Sequence, residues 1–142
     1  MVHRDISIVA RGSALLLSRS LDDLGITVQE LFLLLYLYEN DQSRQEDLVD
    51  FFMLDKGTIA RTLQKLENRE LIIRTIDEND QRKKFIQVSQ KGYSIQGACL
   101  DLVHNWHQMI LKDIPEEDFH VFERVLKLMA LNVVTNLTNQ ED

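Results

Sequence analysis

The stretch SRQEDLVDFFMLDKGTIARTLQKLENRELIIRTIDENDQRKKFIQVSQKG, residues 43–92, decides the fold. Ser43-Arg44-Gln45-Glu46 has the S-x-x-E form of a capping box. It opens a short helix carrying Leu48, Val49 and Phe52. A tight turn is expected at Met53-Leu54. Asp55 can cap the next helix, which runs to about Asn68 with Ile59, Leu63 and Leu66 at inward spacing. Two short helices across a tight turn form the helix-turn-helix pattern. Residues 71–76 and 84–88 are rich in β-branched and aromatic side chains, and the polar stretch 77–83 lies between them, so a hairpin with a long charged tip follows. Ser89 then caps a helix expected to continue to about Lys112.

Working outward, the scarcity of helix breakers (five glycines and one proline) predicts a mainly α fold with this hairpin as its β element. A first helix is expected from about Asp5 to Asp23, closed by Gly25. Thr27-Val28-Gln29-Glu30 is a T-x-x-E capping box. It assigns the apolar run 31–38 to a helix buried on most sides rather than to a strand. Pro115 suits a first helical position, and the acidic residues 116–118 suit the positive end of a helix dipole. The last helix carries Phe119, Phe122, Val125, Leu126, Met129, Val133 and Leu137 on one stripe, with Leu128, Leu131 and Val134 off it. Two apolar faces on a terminal helix suggest a second subunit.

A length of 142 residues suits one domain with a real core. No apolar run approaches the roughly 20 residues that cross a bilayer, so no membrane partner is expected. The N-terminus lacks a secretory layout, and one cysteine, Cys99, permits no intramolecular disulfide, which points to the cytoplasm. The formal charge is −7, yet residues 56–91 hold nine cations against five carboxylates. That window is net +4 and the remainder −11. Cations gathered on one helix and the hairpin after it suit a polyanion, and double-stranded DNA is the usual one.

The candidate DNA contacts are Ser43, Arg44, Lys56, Gly57, Thr58, Ala60, Arg61, Gln64, Lys65, Asp80, Arg82, Lys83 and Lys84. The start of the second helix of a helix-turn-helix reaches base edges in the major groove. There Arg61 can bond guanine and Gln64 adenine, and Lys56 and Thr58 suit phosphates or bases. Arg82 suits a narrow minor groove. The competing reading is a solvated helix face and a solubilising turn. The conjunction of helix pair, charge offset and cationic hairpin favours DNA. No phosphate-cradling glycine loop, H-E-x-x-H or G-x-S-x-G occurs, so no enzyme and no cofactor are expected.

The span 25–92 resembles the MarR family of bacterial winged-helix regulators. The resemblance is carried by Gly25-Ile26-Thr27-x-x-Glu30, Gln45-x-x-Leu48, Asp55-Lys56-Gly57-Thr58-Ile59-x-Arg61 with Leu66-Glu67, and Leu71-Ile72-x-Arg74. It continues through Asp80-x-Arg82 and Val88-Ser89-x-Lys91-Gly92. It implies a winged helix-turn-helix lobe, 25–92, and a dimerisation layer of helices from 1–24 and 93–142. It also implies a homodimeric repressor of a pseudo-palindromic operator, with recognition helices about one DNA turn apart, near 34–36 Å. Release by a small aromatic or phenolic effector is a further implication. Two departures stand out. Glu70 occupies a place where the family often has glycine, so the recognition helix is expected to exit through Asn68 instead. Gly57 stands where serine is common.

Tyr36, His104, Trp106, His107 and Met109 are the candidates for an effector pocket, with dimer core as the competing reading of Trp106 and Met109. His104 and His107 have a spacing compatible with one metal ion, but no carboxylate or thiol accompanies them, and no metal is expected. Cys99 lies on an apolar stripe and reads as a buried, inert thiol rather than an oxidant sensor. The rival functional class is a winged-helix module for protein contact.

Overall fold

The computed structural model describes residues 1–139. Its elements are α1 (Val2–Leu21), a 3-10 turn (Asp22–Leu24), α2 (Val28–Glu39), α3 (Gln45–Phe52), α4 (Lys56–Asn68), β1 (Ile72–Ile76), β2 (Lys84–Val88), α5 (Gln90–Ser94), α6 (Gln96–Ile110) and α7 (Glu116–Thr138). The described residues form two compact units, one from Met1 to Trp106 and the other beginning at His107. The expected mainly α architecture with one hairpin is the one observed, and among the described residues no helix is long and apolar enough to cross a membrane.

The core of the first unit is built around α2. Its capping box forms as read: the Thr27 N–H donates to Glu30 Oε2 at 2.6 Å, and the Glu30 N–H donates to Thr27 Oγ1 at 3.2 Å. The run after it is helical, and Leu31, Leu33, Leu34 and Leu37 are buried. Leu48 of α3, Ile59, Leu63 and Leu66 of α4, Ile72 of β1, Ile86 of β2 and Cys99 of α6 join the same core. At about 25 cal/mol per Å² of apolar surface removed from water, this cluster is the main favourable term in holding the lobe together.

Several local expectations are corrected. The Ser43 box does not form. Ser43 is buried, its hydroxyl donates to the Asn40 carbonyl at 2.7 Å, and its own carbonyl accepts from Ile86 N at 2.7 Å. That bridge holds Ser43 extended, so α3 starts one residue later, with the Arg44 N–H donating to Asp47 Oδ2 at 2.7 Å. The helix from Ser89 is broken at Ile95 into α5 and α6 and ends at Ile110. Pro115 is the N-cap of α7, with ψ of 143°, rather than its first residue.

The recognition helix does not exit through Asn68. Glu70 takes the left-handed conformation, φ 61°. The Leu71 N–H bonds to Leu66 O at 2.9 Å and the Glu70 N–H to Glu67 O at 2.8 Å, which is a Schellman ending. Its two apolar residues, Leu66 and Leu71, are both buried. Their burial outweighs the roughly 1–2 kcal/mol that a left-handed non-glycine residue costs.

The wing is the antiparallel pair β1–β2, with Ile72 opposite Val88 and Ile76 opposite Lys84. At its root, Ser89 donates to Glu70 O at 2.5 Å and accepts from Gly92 N at 2.9 Å, while the Ser89 N–H bonds to Leu71 O at 3.0 Å. A Cβ on Gly92 would stand 2.2 Å from that same Leu71 oxygen and 2.6 Å from Val88 Cγ1. Gly92→Ala is therefore expected to cost about 1–3 kcal/mol of stability, read from the urea midpoint. Gly97→Ala, where a Cβ meets nothing within 4 Å, is expected to leave the midpoint unchanged or raised.

Candidate nucleic-acid interface

Asp55 caps α4. Its Oδ1 accepts the Thr58 N–H at 2.8 Å and its Oδ2 accepts the Thr58 hydroxyl at 2.5 Å. These bonds, with the Arg61 charge, hold the Asp55 carboxyl below its ordinary value of 3.8. Arg61 Nη2 donates to Thr58 Oγ1 at 3.2 Å, so Arg61 lies back across the first turn. Gln64 Nε2 donates to Asn68 Oδ1 at 2.9 Å. Lys56, Gly57, Arg61, Gln64 and Lys65 are exposed, and Thr58 and Ala60 are half-buried. Ile59, Thr62, Leu63 and Leu66 take the inward face, so the division of α4 read from its spacing is the one observed.

At the wing tip, Asp80 Oδ1 accepts the Arg82 N–H at 3.0 Å, and the Lys83 N–H bonds to Asp80 O at 2.9 Å. Asp80 thus shapes the turn that presents Arg82, Lys83 and Lys84, all exposed. Arg44 is exposed at the start of α3, with its guanidinium carbon 5.8 Å from the centre of the Phe85 ring on β2. Ser43, an expected contact, is 5% exposed and bonded into the junction between α3 and the wing.

Three cations of the basic window pair with carboxylates of the chain itself. Arg69 Nη1 pairs with the buried Glu30 Oε2 at 3.2 Å and also donates to Gly25 O, joining the end of α4 to the start of α2. Arg74 Nε stands 3.3 Å from Glu67 Oε2, between wing and recognition helix. Lys91 Nζ stands 3.5 Å from Glu70 Oε2. The sequence reading missed Glu30 as a partner of Arg69, since nothing local links residues so far apart. It also missed Phe85 beneath Arg44 and the Asp55–Thr58–Arg61 chain, though the i, i+3, i+6 spacing of the latter was open to view.

The effector candidates divide between the units. Tyr36 is half-buried, and its ring centre lies 4.6 Å from that of Phe51 and 5.9 Å from that of Phe52. His104 is exposed and Trp106 half-buried on α6. In the second unit His107 and Met109 are exposed, and the His107 ring meets Phe119 edge-on at 5.6 Å. Among the described residues no three His, Cys, Asp or Glu side chains gather as a metal site. Cys99 is fully buried, and burial pushes its thiol up, which lowers its thiolate fraction.

A capped recognition helix behind a tight turn, followed by a hairpin bonded to the preceding helix, defines a winged helix-turn-helix protein. The MarR family model matches residues 26–84. The HTH-type transcriptional regulator SarZ of Staphylococcus epidermidis is 27% identical over 119 residues, spanning 84% of this chain and 72% of that protein. A MarR transcriptional regulator from Methanosarcina mazei superimposes with a TM-score of 0.83 at 25% identity, covering 94% of this chain and 96% of that one. A MarR family regulator from Listeria monocytogenes complexed with 26mer DNA shares the fold, with a TM-score of 0.90 at 24% identity over 96% and 91% of the two chains. Over residues 26–84 the chain resembles the MarR family, and in sequence and fold it is similar to MarR-class regulators.

Because the folded-state pKa of Asp55 is depressed, its cap contributes stability above the unfolded value of 3.8, and that contribution is lost as pH falls through the lower folded value. A carboxyl-carbon NMR titration should place the Asp55 midpoint below 3.8, and Thr58→Val should move it back up. A midpoint at the ordinary value in the wild type would contradict the double Thr58 bond.

Proposed function

We propose that this chain is a homodimeric, cytoplasmic repressor that binds a pseudo-palindromic operator. It is a DNA-binding transcriptional regulator of the MarR class. The observation that carries the finer reading is the split of the basic window. Arg69, Arg74 and Lys91 pair with carboxylates of the chain itself, while Lys56, Arg61 and Lys65 on α4 and Arg82, Lys83 and Lys84 at the wing tip are exposed and lie outside those pairs. Arg61 and Gln64 read bases in the major groove, Arg82 enters the minor groove, and Lys56, Lys65, Lys83 and Lys84 hold phosphates. A protein-contact module has no use for this division.

The dimer reading rests on bare apolar side chains. Ile6, Val9 and Leu16 on α1 are exposed in the single chain, as are Phe122, Val125, Leu126, Met129, Val133 and Leu137 on α7. Surfaces of this composition mark association sites. Residues 1–24 and 93–142 would supply the dimer layer. A small aromatic or phenolic effector belongs to the same reading, with the ring group of Tyr36, Phe51 and Phe52 as its support in the first unit.

Selection of random duplex DNA on the purified protein is expected to return an inverted repeat with half-sites about 10 base pairs apart. Arg61→Ala should cost about 1–3 kcal/mol on that operator and relax one base step. Lys84→Ala should weaken every sequence alike and reduce the salt slope by about one unit. Sequence-blind selection, or a monomer by sedimentation equilibrium, would overturn the reading.

A further inference from the structure

The Asp55–Thr58–Arg61 chain has a fixed direction. Thr58 has a single hydroxyl proton, and the Asp55 carboxylate at 2.5 Å can only accept it. The Thr58 oxygen must therefore present a lone pair to Arg61 Nη2 at 3.2 Å. The hydroxyl is engaged on both sides within the protein. One edge of the Arg61 guanidinium is held, on a residue that is exposed on α4.

Gly57 belongs to the same arrangement. A Cβ there would lie 3.1 Å from Arg61 Nη1 and 3.1 Å from Asp55 Oδ1. Its φ is not in the left-handed region, so backbone freedom does not explain the glycine. What it provides is room for the guanidinium to lie over the first turn. A side chain at this position displaces Arg61 before it displaces anything in the core.

We infer that Asp55 and Thr58 are positioning residues that aim Arg61 at the operator, that Gly57 clears its seat, and that Thr58 is not itself a DNA contact. This rests on the operator reading above and changes the role expected for Thr58 from gripping DNA to orienting the arginine that reads it. An arginine held before binding loses less side-chain freedom when it meets a base. The benefit should therefore appear as discrimination between sequences rather than as general affinity. The low pKa of Asp55 keeps its carboxylate an acceptor throughout the physiological range.

The test is Thr58→Val, which keeps the side-chain shape and the Thr58 N–H bond to Asp55 but removes the hydroxyl. The ratio of operator to random-duplex affinity is expected to fall about three- to tenfold, with the salt slope unchanged. In an Arg61→Ala background the same change should produce no further fall. An unchanged ratio, or an equal fall without Arg61, would overturn the relay. Gly57→Ala guards against a folding artefact. Alanine favours helix over glycine, so its melting temperature should not drop while its operator ratio does, and a retained ratio counts against the inference. Guanidinium NMR of the free protein needs no DNA: rotation about the Arg61 Nε–Cζ bond should be slowed in the wild type and fast in Thr58→Val. Equal rates would overturn the relay even if the operator reading stands. A wild type with no sequence preference would overturn that reading, and slowed rotation would then leave only the internal geometry correct.

Discussion

The carbonyl of Leu71 lies so close to the Cα of Gly92 that no side chain fits between them. Three elements meet at that contact: the end of the recognition helix, the first strand of the wing and the start of α5. The Leu71 oxygen also accepts the Ser89 N–H, Ser89 in turn bonds Glu70 O, and Tyr38 of α2 donates to Gly92 O at 2.8 Å. Buried backbone groups need partners, and here each satisfies another. The angle at which the wing leaves the recognition helix is set by this closed set of bonds rather than by the hairpin itself.

The same logic explains why a glutamate occupies a left-handed position. The Schellman ending at Glu70 brings Leu71 back beneath α4 and delivers its carbonyl to Ser89 and Gly92. The conformational penalty is local, whereas the burial and hydrogen bonding it permits are shared by the whole lobe. At the other end of α4 the constraint is electrostatic. A carboxylate caps the helix that is to meet a polyanion, and its charge is engaged by Thr58 and, through it, by Arg61. The remaining basic side chains divide into those paired with carboxylates of the chain itself and an exposed set outside those pairs. Screening beyond about 8–10 Å lets that local set act within an acidic chain.

Much of this was legible in the sequence because its causes are local. The Thr27 capping box, the inward spacing of Ile59, Leu63 and Leu66, the Asp55 cap and the β-branched and aromatic residues of the two hairpin strands each depend on residues within a turn or a strand of one another. Where the reading failed, a distant partner decided. Ser43 has the chemistry of a cap, but Ile86 of β2 takes its backbone first, and the helix starts later. Asn68 is the better left-handed residue by propensity, yet burial of Leu71 against the core selects Glu70. The helix from Ser89 has no proline to end it, and its break at Ile95 is visible only in the structure.

The sequence by itself determined the class of fold, the identity of the recognition helix and the location of the positive charge, because helical periodicity, capping chemistry and charge density are short-range properties. Only the tertiary structure decided which cations are available. Arg69 and Arg61 look alike along the chain, yet one is tied to a buried glutamate 39 positions away and the other to the threonine one turn back. An ion pair across elements exists only once burial has placed both ends, so no local pattern announces it.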